Sequence, residues 1–249
     1  MPGRSTPRKI TANRLVAHRG DAARYPENTL AAFQSAALLG LALVELDVQV
    51  TADAVPVVLH DADLIRTHGL SLPVSTSTYG RLARAGVLAG GNKPPSIPIL
   101  AEFTHWMRLH PTIHACVEIK RDSMATHGRH PVLKAVAQAL VPIRERITLI
   151  SYDARVLAMA SARGWETGYV LARLDSRHRG IAERLKPRYL FAQWAPLLRL
   201  SPLWSGAWRW VAFEVADPAT ARALAARGID YLETMNPLAL LGNQVGEDS

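Results

Sequence analysis

The 249-residue chain has one cysteine, Cys116. That excludes an internal disulfide and offers no cysteine-based zinc cluster. Such sparing use of cysteine suits a reducing compartment, and a cytoplasmic location is expected. A secretory leader is not expected. Arg4, Arg8, Lys9 and Arg14 stand among Pro, Gly, Ser and Thr, with no continuous apolar stretch behind them. The expectation is a basic flexible tail over 1–13 and then a single domain, 14–249. Long hydrophobic runs are also missing. The greasiest stretch, Leu30 to Val44, is interrupted by Gln34 and Ser35 and closed by Glu45 and Asp47. It is too short to span a bilayer, so no stable membrane insertion is expected.

Acidic residues are in the minority, 21 against 29 Lys and Arg, which leaves a formal charge of +8. A surface of that sign attracts anions. Nucleic acid, anionic lipid and phosphorylated small molecules all qualify, and so does a basic surface that serves solubility alone. No run of five or six basic residues marks a nucleic-acid arm. Aromatic and basic residues are not interleaved, so no nucleic-acid partner is expected. The sequence leaves the state of assembly open.

What the chain does have is an alternation of short β-prone runs with longer helical patterns. Leu15–Ala17, Leu43–Val50, Pro56–His60, His114–Lys120, Ile147–Ser151, Thr167–Ala172, Tyr189–Gln193, Val211–Val215 and Tyr231–Thr234 read as strands. Between them lie helical patterns from Leu30, with Asn28 or Thr29 as cap, from about Pro131, from Ala154 and from Asp217-Pro218. Strand-then-helix repetition argues for parallel strands with crossover helices. About eight units in this length suit an α/β fold of the closed (β/α)8, or TIM barrel, type. The open doubly wound alternative lacks a glycine-rich fingerprint after its first strand. One segment, about 61–97, is rich in Gly, Pro, Ser and Thr and is read as a small insertion over one end of the barrel.

Chemistry-bearing residues gather at the carboxyl ends of these strands. His18-Arg19 ends the first, Glu45 and Asp47 lie on the second, His60-Asp61 ends the third, and Glu118 and Lys120 end the fourth. Residues two apart on a strand share a face, so Glu45 and Asp47 would both point into the mouth. Converging carboxylates repel and take up protons unless a cation neutralises them. Hard oxygen donors suit Mg2+ or Ca2+, while pairing with the many arginines is the alternative. Two histidines flanking a phosphodiester could take a proton from a nucleophile and give one to a leaving alkoxide. Arg19 could hold a phosphate oxygen, and Asp61 could orient the site.

In order, His18-Arg19-Gly20, Pro26-Glu27-Asn28-Thr29, Glu45-Leu46-Asp47-Val48, Thr51-x-Asp53, Val57-Val58-x-His60-Asp61 and Glu118-Ile119-Lys120 resemble the glycerophosphodiester phosphodiesterase family. Ile97-Pro98-x-Leu100-x-Glu102 and Ser151-Tyr152-Asp153 also match that family's phrasing, and the resemblance runs from about 14 to 236. It implies a (β/α)8 barrel with a small insertion after the second histidine. It implies hydrolysis of a small-molecule glycerophosphodiester to sn-glycerol 3-phosphate and an alcohol, with one divalent cation, Mg2+ or Ca2+. Glu45, Asp47 and Glu118 would bind the metal, His18 and His60 would be general acid and base, and Arg19 and Lys120 would face the phosphate. The order of proton transfers stays open. A lysophospholipase D-like hydrolase of lipid diesters and a non-catalytic barrel that binds phosphorylated ligands are the alternatives.

Three features depart from the family's pattern. Phe213-Glu214-Val215-Ala216 stands where Trp-Thr-Val-Asn is frequent, and Thr234-Met235 where Thr-Asp is common. Glu214 either adds a carboxylate to the mouth or pairs with Arg209, and the pairing is the expectation. Trp194, Trp204, Trp208 and Trp210 form a cluster expected to pack the core, with a grip on a lipid tail as the other reading.

Overall fold

A computed structural model describes residues 10–88 and 96–242. Residues 1–9 of the expected tail, and 89–95 of the expected insertion, lie outside the described residues. Packing begins by Ile10, which is buried in the main core. Ala12–Arg14 then forms a 3-10 turn, and Arg14 donates to the carbonyls of Ile229 and Asp230.

The described strands are β1 (Leu15–His18), β2 (Leu43–Val50), β3 (Pro56–Val58), β4 (Asp63–Leu64), β5 (Leu70–Pro73), β6 (His114–Ile119), β7 (Ile147–Ser151), β8 (Glu166–Val170), β9 (Tyr189–Gln193), β10 (Arg209–Phe213) and β11 (Tyr231–Thr234). All but β3, β4 and β5 are parallel neighbours, and β1 pairs with both β11 and β2. That closes an eight-stranded parallel barrel, the architecture expected from the alternation. Strands buried on both faces need near-continuous apolar sequence, and every residue of β1 and β2 is buried. Alternate residues fill two separate cores. Val16, Cys116, Ile150, Val170, Phe191 and Val211 plug the interior. Leu15, Ala17, Val44, Leu46, Val117 and Leu149 face the helices. The interior is thus packed, and the polar side chains at the carboxyl ends of the strands stand above the plug.

Helix starts follow their caps. The Thr29 hydroxyl accepts the Ala32 N–H ahead of Leu30–Leu38, Asp153 caps Ala154–Ser161, and Asp217 caps Pro218–Ala226. Thr29 rather than Asn28 is therefore the cap, which leaves the Asn28 side chain for another task.

The run Pro56–His60 departs from the expectation. Only Pro56–Val58 is strand, and it pairs antiparallel with the end of β2, Val48 opposite Val58 and Val50 opposite Pro56. It is a flap folded back from the rim and contributes no barrel stave. The fold-back turns on Thr51, whose hydroxyl donates to Asp53 and accepts the Val55 N–H. Leu59 then donates to the Asp47 carbonyl at 3.0 Å, which returns the chain to the barrel mouth at His60. Beyond it, β4 and β5 form a hairpin around the helical turn Ile65–His68, followed by the helix Tyr79–Leu88. Val57, Leu59, Leu64, Leu72, Leu82 and Ile97 give this insertion a small core of its own.

Gly20 is the tightest point between the first strand and the first helix. Its φ is +81°, and a Cβ there would lie 2.7 Å from the Ala32 carbonyl carbon. Gly20→Ala combines a disfavoured backbone conformation with overpacking, and a loss of about 2–3 kcal/mol is expected. Thermal denaturation should show a Tm lowered by roughly 4–12 °C; an unchanged Tm would contradict the close approach.

Candidate active site

His18 is the last residue of β1 and stands beside Glu45 in the register, while Asp47 stands beside Glu118. The two-residue period of β2 turns Glu45 and Asp47 to the same side, toward the interior. Carboxylate oxygens of Glu45, Asp47 and Glu118 come within 4.8 Å of one another. The three expected metal ligands are thus brought together. Lys120, just past β6, lies 3.1 Å from Glu118 and 3.2 Å from Asp47.

Two non-glycine residues in the loop after β1 take left-handed backbone, Arg19 with φ 57° and Asn28 with φ 59°. Such positions cost about 1–3 kcal/mol each and are held by their surroundings. Here the conformation aims both side chains at Asp47. Arg19 Nε lies 3.0 Å from Asp47 Oδ2, and its backbone N–H donates to Glu45 Oε2 at 3.2 Å. The Asn28 amide donates to Asp47 Oδ2 at 2.9 Å, and its oxygen accepts the Asp47 N–H at 3.2 Å.

His60 enters from the flap rather than from a barrel strand. Its Nδ1 is 2.6 Å from Asp61 Oδ1, so Asp61 fixes the ring directly. Arg66, from the insertion, donates to Asp61 Oδ2 at 2.6 Å and to both oxygens of Glu27, which also accepts from Arg19 at 3.0 Å. A chain of alternating charges therefore runs from His60 to Arg19. His18, Arg19, His60, Glu118 and Lys120 all line one small cavity of about 110 Å³ at the mouth, together with Tyr152.

Glu233 is absent from the sequence reading. It lies on β11 beside Val16 of β1, 3% exposed, with Oε1 3.7 Å from His18 Nε2. Among the described residues it has no hydrogen-bond partner. With His18 and Glu45 it forms a second set of potential ligand atoms within 4.8 Å. The signal that finds it is the two-residue period again: Tyr231 and Glu233 share a face, and Tyr231 packs against the interior core. Glu214 also lines the mouth. It does not pair with Arg209, which begins β10 while Glu214 follows its other end. Arg209 donates to the Tyr231 hydroxyl instead, and Glu214 accepts from Gln193.

Electrostatics at the mouth are lopsided. Burial, then the Arg19 charge, pushes His18 down to about 3, so its imidazole is neutral at pH 7. Burial raises Glu45 well above the ordinary carboxylate range, with Asp47 and Glu233 adding to it. Glu233 is raised in the same way, by burial and by Glu118 and Asp47. Burial brings Glu118 up to about 7 against the pull of Lys120. Asp47 alone goes the other way. Burial would raise it, but Lys120 and Arg19 overcome that and hold it well below the usual range. Three buried carboxylates and the half-buried Glu118 thus face two permanent cations. Hard, converging oxygen donors in excess of positive charge fit a divalent cation such as Mg2+ or Ca2+.

The model of the glycerophosphoryl diester phosphodiesterase family matches residues 18–176. The glycerophosphodiester phosphodiesterase of Bacillus altitudinis is 30% identical over 149 residues, 59% of this chain and 60% of that protein. A rat protein named lysophospholipase D is 44% identical over 70 residues, 28% of this chain and 22% of its own length. The chain thus spans no more than about 60% of the length of these relatives. A phosphodiesterase from Oleispira antarctica, solved in complex with its product sn-glycerol-3-phosphate, superposes with a TM-score of 0.79 at 23% identity, covering 91% of this chain and 94% of that one. The likeness of fold to that structure, together with the family match across the site just described, gives one conclusion: this chain belongs to the glycerophosphoryl diester phosphodiesterase family.

Proposed function

We propose that the chain hydrolyses glycerophosphodiesters to sn-glycerol 3-phosphate and an alcohol, with a divalent cation as cofactor. The observation that carries this reading is the convergence of Glu45, Asp47 and Glu118 within 4.8 Å beside His18, Arg19 and Lys120. Family membership and the activity for which the Bacillus altitudinis relative is named support the substrate class. In this reading a single 14–249 domain carries the site, with the 61–97 segment as its insertion. The lone buried cysteine is in keeping with a cytoplasmic setting.

Glu45, Asp47 and Glu118 would hold Mg2+ or Ca2+. When bound, that ion would supply Lewis-acid stabilisation of charge on the phosphoryl oxygens. Arg19 and Lys120 donate to the same oxygens, and their charge matters most as the equatorial oxygens become more negative. One of His18 and His60 takes the proton of the glycerol 2-hydroxyl as that oxygen bonds to phosphorus. The other gives a proton to the departing alkoxide. Water then opens the cyclic phosphate, its proton going to one histidine while the glycerol 2-oxygen recovers one. Asp61 holds the His60 ring in place for both transfers.

A lysophospholipase D-like activity draws on the name of the rat relative. The tryptophans that could grip a lipid tail do not favour it. Trp204, Trp208 and Trp210 are buried in the main core, and the indole N–H groups of Trp208 and Trp210 both donate to the Trp204 carbonyl.

Two outcomes are expected. With glycerophosphocholine and Mg2+ or Ca2+, release of glycerol 3-phosphate should stop in EDTA. His18→Ala or His60→Ala should lower kcat by about 10²-fold or more. Full turnover after exhaustive metal removal, or in His18→Ala, would contradict the assignment. Phosphate-ligand binding without any turnover would favour the non-catalytic alternative, and faster cleavage of long-chain lysophospholipids the lysophospholipase reading. Secondly, cation binding must displace protons from carboxylates raised by burial. Glu118, raised to about 7, is largely protonated below that pH and ionised above it. Apparent affinity for the ion should therefore rise with pH through about 7, and calorimetry in buffers of different ionisation enthalpy should register protons released on binding. A pH-independent affinity would contradict this.

A further inference from the structure

We propose that a groove beside the mouth is a subsite for a leaving alcohol that carries its own negative charge, a phosphate or carboxylate; this rests on the hydrolase reading above. The mouth cavity, about 110 Å³, is small beside the groove it opens onto, so an alcohol leaving the phosphate would extend over the rim. Tyr152 lines both that cavity and a groove of about 610 Å³ that continues between the helices Ala154–Ser161 and Ser176–Leu185. The junction is already charged, since the Arg121 guanidinium stands 5.1 Å from the centre of the Tyr152 ring.

Five arginines line the groove, Arg121, Arg129, Arg155, Arg177 and Arg184, against one carboxylate, Asp153. Asp153 is engaged by Arg129 at 2.7 Å and by the start of its own helix. Among the described residues Arg155, Arg177 and Arg184 pair with no carboxylate, and all three are exposed. Guanidinium forks left open along one wall match phosphate or carboxylate oxygens and attract them from solution. A cationic alcohol such as choline would meet repulsion there. Part of the chain's excess of positive charge thus lies where a substrate's far end would go.

The test uses a matched pair of diesters, glycerophosphoinositol and glycerophosphoinositol 4-phosphate, with glycerophosphocholine as third substrate. The expected preference in kcat/KM for the phosphorylated member is about tenfold or more at low salt, shrinking as salt is raised. In Arg155→Gln/Arg177→Gln the ratio should fall toward one, and Arg155→Lys/Arg177→Lys should recover part of it. An unchanged ratio in the Gln variant would overturn the subsite. So would an effect confined to binding of phosphatidylglycerol vesicles, which would make the groove a membrane contact. If no diester is cleaved, the hydrolase reading fails separately, and the groove is then judged by calorimetry with inositol 4-phosphate. Binding about tenfold weaker in the Gln variant supports it, and equal binding overturns it.

Discussion

The constraint on which the rest depends is the crowding of four carboxylates, three buried and one half-buried, at one end of a closed barrel. Withdrawing an ionised carboxylate from water costs several kcal/mol even after relaxation. Glu45, Asp47, Glu118 and Glu233 incur that cost within a few ångströms of one another. The scaffold resolves it for one of them. Asp47 receives Lys120, Arg19 and one hydrogen bond from the Asn28 amide, whose oxygen in turn accepts the Asp47 N–H, and it stays ionised. Glu45 receives one backbone N–H, and Glu233, crowded against Glu45, has His18 at 3.7 Å but no hydrogen-bond partner among the described residues. An arrangement that leaves these groups under-neutralised is one prepared for added positive charge.

Several otherwise separate features serve that end. The left-handed backbone at Arg19 and Asn28, the fold-back of β3 and the small core of the insertion all bring polar groups to the same rim. Arg66 ties the insertion to the loop after β1 by bridging Asp61 and Glu27. Through those two carboxylates the positions of His60 and Arg19 are linked, although the two come from segments with different cores. The insertion is therefore part of the mouth's framework.

Much of this was legible in the sequence, for a physical reason. The two-residue period of a strand makes Glu45, Asp47, Glu118 and Lys120 readable as one converging group once the strands are recognised, and His18 follows from its strand end. His60 was identified, but its route was misread. An antiparallel flap and a barrel stave have the same apolar pattern, and only pairing distinguishes them. Glu233 was overlooked because a single acid in a short closing strand says nothing until closure sets it beside β1. Glu214 and Arg209 are near in sequence, but an extended strand holds them at opposite ends, so the expected pair does not form. The core reading of the tryptophan cluster holds for Trp204, Trp208 and Trp210, which are buried, while Trp194 is half-buried against the same core.

The central claim is that Glu45, Asp47 and Glu118 form a cation site. The most direct measurement is an anomalous difference map from crystals soaked in Mn2+, for the natural chain and for Glu45→Gln. The account predicts one strong peak among the three carboxylates, lost or greatly weakened in Glu45→Gln. No peak there in the natural chain, or an undiminished peak in the variant, would contradict it.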